Sequence, residues 1–144
     1  MILDTIFAAL ATLGFSMIFN IRGRKTILAA IGGGLGWLVY MITIKYSNSN
    51  AFSFFVASVA AASYSEILAR IIKTPATVFI ICAIIPLVPG GGMFRTMLSV
   101  VEGNTNQAIV NVVETLAAAG SIAVGIFFVS TITKIFITNG INKN

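Results

Sequence analysis

The residues best equipped for chemistry cluster at positions 84–95, Ile-Ile-Pro-Leu-Val-Pro-Gly-Gly-Gly-Met-Phe-Arg. Pro86 and Pro89 each lack an N–H donor and clash with the preceding turn, and Gly90, Gly91 and Gly92 carry a high helix cost. The spacing predicts a break from Pro86 to Gly92 in an otherwise apolar segment, with new helix starting near Met93. A helix interrupted inside a membrane exposes backbone groups that can hold a carboxylate or a coupling ion. The positive dipole of the second half-helix would point into the break, and Arg95 adds a full charge one turn along. Pro86, Pro89, Gly90, Gly91, Gly92 and Arg95 are therefore the candidate binding residues for an anionic group, such as the carboxylate of an amino acid or organic acid. The plainer alternative is a re-entrant or interfacial turn with a structural role alone.

Two acids lie in apolar surroundings. Ser58, Ala62, Glu66 and Arg70 follow one another at four-residue spacing, hence on one helix face. An intramembrane acid suggests a pathway or proton site, and an i,i+4 pair with Arg70 near the interface is the structural reading beside it. Gln107, Asn111, Glu114, Ala118, Ser121 and Gly125 form a second polar-to-small stripe. It reads either as close helix packing or as a wet pathway carrying Asn111 and Glu114. Asp4, Ala8, Thr12, Ser16 and Asn20 make a third polar face, and Gly32 to Gly36 is a GxxxG of the kind that packs membrane helices. No strand precedes these glycines and no Lys-Ser/Thr follows them, so a phosphate loop is set aside. With no histidine and a single cysteine, Cys82, a metal site, a bound cofactor and a disulfide within the chain are not expected.

The elements that must hold these residues are membrane helices. The chain is 58% apolar and 9% charged, with a mean hydropathy of +1.01, whereas soluble domains carry about 25% charged residues. Apolar stretches of roughly 20 residues count as spans. Five are expected, near residues 2–19, 26–46, 52–72, 76–101 (broken at 86–92) and 107–136, in one all-α, polytopic domain spanning 1–144. The last is long enough to tilt or to project into the interface. Asp4 sits where a cleavable signal would need positive charge. Nine Lys/Arg against four Asp/Glu read as topology before nucleic-acid binding. With the N-terminus outside and the C-terminus inside, Arg22, Arg24, Lys25, Arg70, Lys73, Lys134 and Lys143 fall inside, leaving Lys45 and Arg95 outside or at depth. The break then lies near mid-bilayer.

Residues 82–97, Cys-Ala-Ile-Ile-Pro-Leu-Val-Pro-Gly-Gly-Gly-Met-Phe-Arg-Thr-Met, resemble the signature of the threonine/serine exporter family, in its short C-terminal-type module. Gly14-Phe-Ser-Met-Ile-Phe-Asn20, Ser65-Glu66 and Glu114-Thr-Leu agree with it, so the likeness covers nearly the whole chain, and Pro-x-x-Pro-Gly is its specific part. The resemblance implies a secondary exporter of serine or threonine, or in some members of a dicarboxylate such as succinate, in the cell membrane. It also implies the smaller subunit of a split exporter, with a larger partner of the same family or further copies completing the carrier. Glu66 or Glu114 would then relay a coupling proton in an antiport cycle. A non-catalytic subunit that stabilises a membrane complex and a small oligomeric channel are the alternatives. No enzyme is expected, because no nucleophile is clustered with a base.

Overall fold

The computed structural model describes residues 1–141, with side chains through Ile135; Lys143, counted in the charge bias, lies outside them. The chain folds into helices α1 (Ile2–Ile18), α2 (Arg24–Ser47), α3 (Asn50–Ile72), α4 (Ala76–Ile84), α5 (Gly90–Val101) and α6 (Thr105–Ile141), with a 3-10 turn at Ile85–Leu87. Among the described residues no strand forms, so the protein is an all-α, polytopic membrane protein. α2, α3 and α6 are each long and apolar enough to cross a bilayer, and α4 with α5 makes a fourth crossing if the bent pair is one span. α1, at 17 residues, sits at the short end of the spanning range.

Turn chemistry sets the ends of these helices. Asn48 and Lys73 close α2 and α3 in the left-handed conformation, which Asn tolerates well. Pro75 caps α4, where its missing N–H costs nothing. α3 is the central element: it packs against α2, α4 and α6, while α1 flanks α2 and α5 rests on α6.

Small residues bring the helices together. A Cβ at Gly33 would overlap the Thr12 side chain of α1, and one at Gly36 would press on Ala61 of α3 and Leu87. The polar face of α1 is thus a packing face. Thr12 and Ser16 are fully buried, with their hydroxyls turned back to the Ala8 and Leu13 carbonyls at 2.9 and 2.7 Å. On α6, Gly125 meets Ser58 and the Phe55 carbonyl of α3 in the same way. Ile, Leu, Val and Phe side chains cover the outside, the arrangement expected where lipid replaces water and small residues draw helices close.

The break is shorter than the sequence predicts. Gly90, Gly91 and Gly92 form the first turn of α5 rather than a loop, so the second half-helix begins at Gly90 and not near Met93. Pro89 is its N-cap, and its carbonyl accepts from the Gly92 and Met93 N–H groups at 3.1 and 3.2 Å. Glycine's helix cost of about 1 kcal/mol does not decide the matter once a capping proline and packing on α6 hold that turn. The interruption is confined to the 3-10 turn, Val88 and Pro89, and it bends α5 away from α4 by 48°.

Candidate functional site

The bend opens a cavity of about 220 Å³ between the break, α5, α6, the second half of α2 and the start of α3. It is smaller than the ~300–1,000 Å³ of typical ligand pockets, a size suited to a small metabolite. Pro86, Pro89, Gly91, Gly92, Arg95, Asn111 and Glu114 all line it. Residues from two separate sequence signals, the break and the stripe on the last helix, therefore meet around one space.

Gly90 and Glu66 do not. Gly90 belongs to the first turn of α5 and lies off the cavity. Glu66 faces a different, largely apolar groove between α3 and α6, where it accepts from the Ser130 hydroxyl at 3.5 Å. Among the described residues Glu66 and Arg70 form no ion pair with each other. Arg70 instead donates to the Thr133 carbonyl at 3.5 Å, so both side chains reach across to α6.

The walls divide by polarity. Asn50, Val88, Arg95 and Glu114 are exposed at the mouth, while Leu87, Ala118 and Phe54 close the inner end at 0%, 4% and 8% exposure. Arg95 spends its Nε on the Gly91 carbonyl at 3.3 Å. Its terminal nitrogens have no partner among the described residues, and neither does the Glu114 carboxylate, so the site presents one unpaired cation and one unpaired anion. Among the described residues the Gly91 N–H, in the first turn of α5, has no backbone acceptor either. That is the ordinary condition of a helix start and one that favours an anion.

Asn111, Thr115 and Tyr40, also on the lining, are already engaged. Asn111 donates to the Ser99 hydroxyl at 3.1 Å and accepts from Gln107 at 3.3 Å, which ties α6 to α5. Thr115 donates to the Asn111 carbonyl at 2.6 Å and packs against Gly92. Tyr40 donates to Asn50 Oδ1 at 2.7 Å, joining α2 to the start of α3.

Sequence reading did not single out Trp37, Tyr40, Asn50, Phe54 or Thr115. Tyr40 stacks on Phe54 with ring centres 4.5 Å apart, and Trp37 lies 5.3 Å from Tyr40. Trp37 and Tyr40, three apart on α2, share a helix face, but nothing local says that this face meets the break. Trp37 Nε1 is buried and has no hydrogen-bond partner among the described residues.

Compared with known proteins, the family described as Threonine/Serine exporter, ThrE, matches residues 4–132 of the chain. No solved structure matches it.

Proposed function

The chain belongs to the threonine/serine exporter family, and on that premise we propose that it is a subunit of a secondary exporter of serine and threonine whose substrate occupies the cavity at the bend. The observation that carries this reading is the pair of unpaired opposite charges, Arg95 and Glu114, on the lining of one small cavity. A free amino acid has a carboxylate and an ammonium. A guanidinium receives the first through paired charge-assisted bonds, and a carboxylate receives the second. A dicarboxylate such as succinate would bring its other carboxylate towards Glu114, where like charges repel. The lining therefore favours the zwitterion.

Coupling follows from the same carboxylate. Protonation of Glu114 removes the charge that holds the ammonium, so a proton and the substrate compete for one side chain, as antiport of the two requires. Glu66 lies outside the cavity and takes no part in this step.

With the N-terminus outside and the C-terminus inside the cell membrane, the mouth at Asn50 opens towards the outer face. Exposed charges are expensive against lipid, so a larger subunit of the family, or a second copy, covers Arg95 and Glu114 and completes the site.

Vesicles carrying the chain with its co-purifying partner should move labelled serine and threonine against an opposing proton gradient. Glu114→Gln and Arg95→Ala should each lower serine flux roughly tenfold or more while assembling normally, since a hydrogen bond to a charged group contributes about 1.5–3 kcal/mol. Undiminished serine flux in both variants would overturn the assignment.

A further inference from the structure

The bend and the groove beside Glu66 lie towards opposite ends of the same two helices. The bend takes Asn50 and Phe54 of α3 with Glu114 and Ala118 of α6, whereas the groove is walled by residues within 59–71 of α3 and 128–133 of α6. From Glu114 to Ser130, α6 rises about 24 Å. Between the two spaces the helices touch, because a Cβ at Gly125 would overlap Ser58 and press on the Phe55 carbonyl. The groove holds about 550 Å³, within the ~300–1,000 Å³ of ligand pockets. Its walls are mainly Val, Ile and Phe, but Ser63, Glu66 and Arg70 enter them from one face of α3. All three have bonding capacity to spare. Glu66 Oε1 and Arg70 Nη2 each make one long bond to α6, at 3.5 Å, and the two side chains form no ion pair among the described residues. Ser53, Ser58 and Ser65 turn their hydroxyls back onto carbonyls one turn earlier. The Ser63 hydroxyl has no partner among the described residues.

Resting on the assignment of serine and threonine to the bend, we propose that this groove is a second site for the same zwitterion, where the carrier loads it from the cytoplasm. Arg70 takes the carboxylate and Glu66 the ammonium, repeating the pairing of Arg95 and Glu114 at the other end. Ser63, one turn along from Glu66, offers its free hydroxyl to that of the substrate. The charge pair selects this occupant over a lipid. An anionic headgroup would satisfy Arg70 but set its acyl chains against Glu66, where a carboxylate is costly. In the N-out orientation the groove lies towards the inner ends of α3 and α6 and the bend towards their outer ends. An exporter takes up substrate on one side and releases it on the other, and the contact at Gly125 keeps the two places from opening to each other.

Membrane vesicles of either orientation, carrying the full chain and its partner, separate the two sites. In inverted vesicles, whose cytoplasmic face is outward, Glu66→Gln and Arg70→Ala should each raise the half-saturating serine concentration about tenfold or more, the loss of a charged hydrogen bond. In right-side-out vesicles the same variants should stay within about twofold of wild type, because distant sites act independently. Equal effects at both faces, or none at either, overturn the proposal. Ser63→Cys in a Cys82→Ala background gives a readout that keeps both charges. Serine at roughly ten times its half-saturating concentration should slow maleimide labelling of that cysteine in inverted vesicles about tenfold, by mass action. Labelling that serine does not slow also overturns the proposal. These outcomes leave the site at the bend standing, whereas a wild-type complex that moves neither serine nor threonine overturns both.

Discussion

At the residue scale the molecule separates glycines that pack from glycines that do not. Gly33 admits the Thr12 side chain, and a Cβ there has nowhere to go. Gly33→Val should lower the thermal stability of the purified protein by about 1–3 kcal/mol, the usual cost of overpacking, and loosen α1 from α2. Thermal unfolding in detergent, compared with Gly14→Val, checks this, because no neighbour lies within 4 Å of a Cβ at Gly14. The GxxxG at Gly32–Gly36 announced close packing but not its partner, since periodicity marks a face without saying what covers it. Glu66 shows the same limit from the other side. Its four-residue spacing to Arg70 suggested a pair along one helix, yet α6 offers Ser130 to the acid and the Thr133 carbonyl to the base. Spacing within one helix carries no information about the helix across from it.

At the scale of elements, the break shows what local propensity can and cannot foretell. Pro86 and Pro89 fall where α4 gives way to the 3-10 turn and where α5 is capped, and both effects follow from the missing N–H and the fixed φ of proline. The glycines are helical, against the expectation from propensity, because their helix cost is small enough for capping and for contact with α6 to outweigh it. The helical geometry sets the expectation for mutagenesis. A Cβ at Gly90 meets nothing within 4 Å and the residue is already helical, so Gly90→Ala should leave serine flux within about twofold of wild type and stabilise α5 by up to about 1 kcal/mol. Pro89→Ala removes the cap geometry that turns α5 away from α4, and flux should fall roughly tenfold or more as the cavity distorts, a misplacement penalty familiar from binding sites. Flux assays on both variants at matched membrane levels decide it.

For the whole molecule, composition is enough to read a helical membrane protein, because the chain is 58% apolar and 9% charged and its apolar residues fall in stretches of about 20, the length that spans a bilayer as helix. Which helices neighbour one another was not legible, since apolar surfaces are chemically alike and long-range partners leave no local mark. The cavity was half legible for that reason: its α5 and α6 walls carry proline, arginine and glutamate, whereas the α2 and α3 wall is aromatic and looks like any lipid-facing surface. Sidedness can be tested directly, because Cys82 is the chain's single cysteine and is buried. In a Cys82→Ala background, cysteine at Asn48 or Asn104 should react with a membrane-impermeant maleimide added to intact cells. Cysteine at Gly23 or Thr74 should react only after permeabilisation. The opposite pattern would invert the N-out orientation and turn the cavity's mouth inward.

The helices differ widely in length. α1 has 17 residues and α6 has 37, or about 25 and 55 Å at 1.5 Å per residue, against a hydrocarbon core of about 30 Å. If α1 crosses the bilayer, as the N-out orientation requires, that flank is shorter than an average hydrocarbon core and the flank at α6 longer, so one edge would pull the leaflets together while the other leans or protrudes. Acyl-chain length thereby becomes a variable in the energetics of this protein. Shorter-chain lipids relieve the strain at α1, and longer chains add to it by fractions of a kcal/mol per Å.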